Sequence, residues 1–407
     1  MTEAAAMAPG DPTSPDSPQL ADSAAAWRSA YVHVPFCRRR CPYCDFAVVA
    51  GGEWSGPADR YVDALVAEMA MEPGWGPLDA VNLGGGTPTS LDPPQLARIL
   101  TALADRFGIA PGAECSIEGN PEDWDPGRWA DLVAGGFTRI SLGVQSFDPT
   151  VLGALGRAHG AGEAAAAVGG ARQVGFRSVS LDLVFGAAPE DPASWGDTVA
   201  RALALEPDHL SAYALTVERG TELSRMVAAG TVPAPDPDEQ ADAYELLIEA
   251  ATGAGLVHYE VSNFARPGHP CRYNLGTWAQ GEYLGFGLGA HDHRDGARNR
   301  NLRRLDAYLA AVEQGERPRA GSDTEGPWGR EQERLMLGLR RRAGVVAGEI
   351  GERMVASDAG RRLIAAGVLG HGDGRLVVLR PLLTDEVTRA VLDLVPPTPV
   401  PMPTLSD

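Results

Sequence analysis

The chain has 407 residues, enough for two or three domains by length alone. All 35 of its basic residues are arginine, and the lack of lysine excludes a lysine Schiff base, pyridoxal-phosphate attachment and a phosphate-loop lysine. The 54 acidic residues leave a net charge of −19, which argues against nucleic acid as a partner and against unspecific attraction to an anionic membrane.

Residues 1–27 are mostly Ala, Pro, Asp and Ser and predict a disordered tail. The first basic residue is Arg28, and no apolar run reaches the length of a spanning helix, so neither a leader peptide nor a transmembrane segment is expected. The chain reads as cytoplasmic. Residues 28–255 then alternate strand and helix. Strands are predicted around 31–34, 80–83, 115–118, 140–144, 179–184 and 209–213. Val62, Leu65, Val66 and Met69 fall on one face of the first helix. Four later helices are announced by Asp92-Pro93, Asp125-Pro126, Asp148-Pro149 and Asp191-Pro192, a cap residue followed by proline in the first turn. Another is expected around Tyr244–Ile248. Six such units predict a parallel sheet, open or closed into a barrel. Residues 256–395 read as a second domain. Its Gly- and aromatic-rich stretch 273–289 is expected as loops packed on the barrel. Its helix at 331–342 and its helix, turn and strand at 362–380 suggest a small winged-helix-like module, acting as a structural cap in so acidic a chain. Residues 396–407 predict a Pro-rich tail.

Cys37, the run Gly84-Gly85-Gly86-Thr87-Pro88, Glu118, Gln145 and Asp182 all fall at or just past the C-terminal ends of successive strands. In a β/α barrel that rim carries the active site. Cys37, Cys41 and Cys44 make C-x3-C-x2-C, with Arg38, Arg39 and Arg40 inside the loop. Three thiolates on one loop can hold three irons of a [4Fe–4S] cluster. The competing reading is zinc, with His33 as fourth ligand, although zinc sites usually pair two C-x2-C elements. Cys115 lies in a strand and reads as a core thiol.

The cysteine spacing, the glycine run and the six β/α units resemble the radical S-adenosylmethionine (SAM) superfamily. The words Tyr31-Val32-His33-Val34-Pro35-Phe36-Cys37, Gly143-Val144-Gln145-Ser146-Phe147, Arg157-Ala158-His159 and Ser262-Asn263-Phe264-Ala265 narrow this to its coproporphyrinogen-oxidase-like branch, most like the HemW-type heme chaperone family. The resemblance implies an α/β fold, a partial (β/α)6 barrel with a smaller C-terminal α+β domain. It implies that Cys37, Cys41 and Cys44 bind the cluster. It places Tyr31, Tyr43, Gly85, Gly86, Thr87, Glu118, Gln145, Arg157, Asp182 and Ala214 around SAM. It further implies heme as cargo, a client protein that receives it, and an electron donor. The rival within the branch is oxygen-independent coproporphyrinogen III oxidase. The oxidase carries a fourth cysteine where this chain has Phe46, and it has a longer N-terminal extension. The family's H-N-x-x-Y-W word has become Tyr273-Asn274-Leu275-Gly276-Thr277-Trp278, which leaves Tyr273, His269, Cys271, His291 and His293 as candidate heme ligands.

Overall fold

The computed structural model describes residues 22–51 and 55–396. The expected tails 1–27 and 396–407 lie outside the described residues, apart from residues 22–27 and Pro396. Residues 22–27 are not tail-like: Ala24–Ala26 form one 3-10 turn, and Ala24 is buried against Tyr259, Leu275 and Ala279.

The six expected strands are β1 (Arg28–Val34), β2 (Leu78–Gly85), β3 (Ile109–Gly119), β4 (Arg139–Gln145), β5 (Ser178–Phe185) and β6 (His209–Ala214). Each pairs in parallel with the next. Helices cross between them and begin where the Asp-Pro pairs place them. Asp125 accepts from the Arg128 amide (2.8 Å), Asp148 from that of Thr150 (2.7 Å) and Asp191 from that of Ser194 (2.8 Å). Each bond satisfies an amide that the first helical turn leaves open.

The sheet does not stop at residue 255. β7 (Val257–Glu260) and β8 (Asn263–Ala265) extend it antiparallel beyond β6. On the other edge β9 (Glu282–Phe286) runs parallel to β1, followed by antiparallel β10 (His291–Arg294), β11 (Ala297–Asn301) and β12 (Arg319–Thr324). The order is β12-β11-β10-β9-β1-β2-β3-β4-β5-β6-β8-β7. The stretch 273–289, expected as loops, therefore holds a helix (Arg272–Trp278) and β9. Glycine hid the strand: a side chain on Gly285 would collide with the His291 carbonyl, so the residue is there for close hairpin approach. Buried Glu68 fixes this edge to the first long helix (Ser55–Met71). It accepts from the Gly287 amide (2.8 Å), Asn301 Nδ2 (2.6 Å) and Tyr308 OH (2.6 Å).

A second hydrophobic core lies within residues 335–391 and includes Leu335, Ile350, Met354 and Leu376. Around it run helix Pro327–Gly338, strand Val345–Val346, helices Gly348–Ala356 and Asp358–Ala365, strands Leu369–Gly372 and Arg375–Val378, and helix Thr384–Leu392. Among the described residues no helix is long and apolar enough to cross a membrane.

Candidate functional site

The C-terminal ends of β1–β6 surround a cavity of about 560 Å3. The cysteine loop forms one wall. It leaves β1, pairs Phe36–Cys37 with Val49–Ala50, and closes a turn through the Cys44 amide and Cys41 carbonyl (3.1 Å). Cys37, Cys41 and Cys44 are free, partly buried thiols that line the cavity. Burial pushes the Cys37 thiol up to about 11 and raises Cys44 as well. Of the other expected positions, Tyr43, Gly85, Gly86, Thr87, Glu118, Gln145, Arg157, Asp182 and Ala214 line the same cavity.

The glycine run is a strap laid against the cysteine loop. The Gly86 amide donates to Val34 O and the Thr87 amide to Phe36 O, both at 2.8 Å. A Cβ on Gly86 would lie 2.7–2.8 Å from Pro35 and Phe36 backbone atoms, so a larger residue would push the strap off the loop. Thr87 Oγ1 then reaches Cys37 Sγ at 3.8 Å and accepts from Asn120 Nδ2 at 3.2 Å.

Two half-buried carboxylates share the cavity with the thiols. Glu118 accepts from the Gly85 amide (3.2 Å), and Asp182 accepts from Ser141 Oγ (2.9 Å). Burial, and for Glu118 the nearby Asp182, push them up to about 7 and about 6. Arg157 joins the two walls. It reaches Cys41 Sγ (3.8 Å), the Gly143 carbonyl (2.7 Å) and Asn120. His159 Nε2 donates to the next carbonyl, Val144 (2.9 Å). These two bonds hold the end of β4, where the register with β5 slips and Gln145 takes φ +66°. A non-glycine residue held there marks stored strain at a site.

Tyr31 departs from the expected set. It lines a separate cavity of about 220 Å3 deeper in the barrel, with Asn82, Ser180, His209, Ser211 and Tyr273. Glu118, Ser141, Asp182 and Tyr213 border both cavities. Tyr31 hydrogen-bonds His33 Nδ1 (3.1 Å), and His33 Nε2 meets the Ala47 carbonyl (2.9 Å). Both His33 nitrogens are thus engaged within the fold, which removes it as a zinc ligand. Sequence reasoning missed Asn120, Ser141 and Tyr213. Asn120 directly follows β3 and Tyr213 is the penultimate residue of β6, so the rim rule that picked out Glu118 and Asp182 reaches both.

The candidate heme ligands separate. Tyr273 is packed within the barrel, its ring stacked on Tyr31 (6.1 Å) and against Tyr283 (5.9 Å). Cys271 and His293 are buried, and His293 Nδ1 lies on the Gly281 carbonyl (3.1 Å). His269 sits at the other end of the sheet, where its carbonyl accepts from Arg139, the first residue of β4. His291 is exposed and opens β10.

The Radical SAM superfamily model matches residues 31–201. The chain is 40% identical over 370 residues to "Heme chaperone HemW" of Mycobacterium tuberculosis, covering 89% of this chain and 94% of that protein. It is 34% identical to the protein of that name from Bacillus subtilis, covering 78% of this chain and 84% of the relative. The chain belongs to the HemW family of radical SAM proteins. In fold this HemW-family chain is also similar to coproporphyrinogen III oxidase (HemN) from Escherichia coli, with a TM-score of 0.77, 23% identity, and coverage of 93% of this chain and 94% of that one.

A [4Fe–4S] cluster and SAM, which the superfamily implies, can be tested against this HemW-family site. Three free thiols face one cavity, yet among the described residues no group of three or more His, Cys, Asp or Glu side chains gathers to hold a single metal ion. A cluster spreads its thiolates over separate irons, so the donor set fits a cluster rather than one tetrahedral ion. Glu118 and Asp182 line the cavity and, among the described residues, neither forms an ion pair, which fits a positively charged ligand. The buried Arg157 Nε also lacks a hydrogen-bond partner among the described residues.

Proposed function

We propose that this protein binds a [4Fe–4S] cluster, SAM and heme, and delivers heme to a client protein. In this reading Cys37, Cys41 and Cys44 hold the cluster. When bound, the cluster supplies an open iron for SAM's amino and carboxylate groups. Gly85, Gly86 and Thr87 admit the ligand to the strap and offer backbone groups to it. Glu118 and Asp182 offset its positive charge, Arg157 steadies the cysteine loop beside Cys41, and Gln145 reaches in from its strained position. Tyr31 acts from behind, through His33 and the deeper cavity. A cytoplasmic location, where thiols stay reduced, belongs to the same reading, as do a client and an electron donor. So does a division into a barrel unit carrying the site and a smaller C-terminal, winged-helix-like unit.

The observation that carries this is the gathering of three free thiols and two half-buried carboxylates around one cavity. The alternative, radical decarboxylation of coproporphyrinogen III, meets an obstacle in Phe46, which stands exposed where the oxidase has cysteine. Anaerobic reconstitution followed by separate SAM and heme titrations tests the reading. Saturable binding of both, with no conversion of coproporphyrinogen III in the presence of SAM and reductant, is expected. Repeated turnover to protoporphyrinogen would install the alternative.

A further inference from the structure

The cavity of about 560 Å3 is the size of one drug-like ligand, and the cluster and SAM together fill it in that reading. Heme therefore needs a place outside, and the same end of the sheet offers one. β9 runs parallel to β1, so its C-terminal end and the following turn lie at the rim with the cysteine loop. The turn contacts that loop directly: Gly289 sits on Ala47, with 3.0 Å from its Cβ position to the Ala47 methyl. Two residues past Gly289 is His291, and one before Ala47 is Phe46, 57% exposed. Arg303 spans the seam, donating from Nη2 to the Asp45 carbonyl (2.6 Å) with its side chain exposed. Arg300 lies directly across the β10–β11 ladder from His291, and its ion pair to Asp323 is exposed and exchangeable.

We propose that heme docks on this rim, with the ring against Phe46, the iron on a His291 ring nitrogen and the propionates toward Arg303 and Arg300. The proposal rests on the heme-binding reading above and adds the ligand to it. Of the eight histidines, His291 is the one at this end of the sheet whose ring has no hydrogen-bond partner among the described residues. Neutral imidazole is the form that ligates iron. Although exposed, the His291 ring is partly desolvated, and with Arg300 and Arg303 nearby it is held below its ordinary value. A planar dianion with an apolar face matches an exposed aromatic flanked by arginines.

The test is a heme titration of the reconstituted full chain, followed at the Soret band. His291→Ala and His291→Gln should each lose the histidine-ligated spectrum and weaken binding by about tenfold or more. Free imidazole should restore the Soret position in His291→Ala. His269→Ala should behave as the unaltered protein. Unaltered protein should bind heme dimethyl ester, which lacks the two negative charges, several-fold more weakly. Cluster absorbance and SAM affinity serve as the fold control for both His291 variants. If these controls hold and the variants keep the original spectrum and affinity, His291 is overturned while the heme-binding reading stands. If the unaltered protein binds no heme, that reading falls and takes this site with it. Should the variants lose their clusters, the dimethyl ester decides: equal affinity for both hemes overturns the rim site.

Discussion

The larger core, built around β1–β6, encloses Tyr31, Asn82, Ser141, Asp182 and Ser211 along a hollow interior. The smaller one, within residues 335–391, is a cluster of aliphatic side chains and Met354. Burying a polar group costs free energy unless something pairs with it, and a carboxylate costs most. The larger core keeps two half-buried carboxylates at the boundary between its cavities, whereas the smaller buries no carboxylate among the described residues, its buried polar side chains being Arg341 and Thr384. A polar interior of this kind makes sense where a ligand supplies the missing partners. The two regions should therefore answer mutation differently.

The largest effect is expected in the cysteine wall. Cys41→Ala should abolish the broad absorbance near 400 nm (roughly, for thiolate-bound iron–sulfur clusters) and the bound iron. Retention of a full cluster would break the assignment of this loop. Next comes the smaller core. Leu376 is fully buried, so Leu376→Ala should cost about 2–5 kcal/mol in urea denaturation and leave SAM affinity unchanged. A matching loss of SAM binding would mean that the two regions are not independent.

Asp182→Ala should do the reverse. It should weaken SAM binding by about 1–3 kcal/mol, roughly one to two decades, with the cluster spectrum intact. Unchanged affinity in both Asp182→Ala and Glu118→Ala would detach the carboxylates from the ligand. The smallest effect is a pH dependence. Glu118 at about 7 and Asp182 at about 6 hold protons that the unfolded chain releases near pH 4. Across about pH 4 to 7 the native state thus binds more protons, and ligand-free stability should fall as pH rises through that window. Cation binding runs the other way: SAM affinity should rise about tenfold between pH 6 and pH 8 as the carboxylates ionise. Isothermal titration at several pH values measures it, and a flat profile in the unaltered protein would refute it.

Local signals carried much of this protein. Asp125, Asp148 and Asp191 cap their helices because a cap needs only its own first turn. Cys37, Cys41 and Cys44 share a wall because they share one short loop, and the strand ends meet at a rim because parallel β/α units leave no other arrangement. What the chain order could not convey depends on pairing between distant segments. β9 lies beside β1 only in the folded sheet, so residues 273–289 read as loops and the sheet was expected to stop at residue 255. Tyr31 follows the strand pattern of the site residues, yet depth along β1 puts it in the second cavity. Gln145 enters the site through a register slip that only the β4–β5 pairing reveals. His291 was one candidate heme ligand among five until the fold buried Cys271 and His293, turned Tyr273 to the deeper cavity beside Tyr31 and set His269 at the far end of the sheet. Sequence determined which chemistry this chain can carry, since residue type and short spacing fix that. Tertiary structure decided which groups meet, since burial and register are properties of the whole sheet.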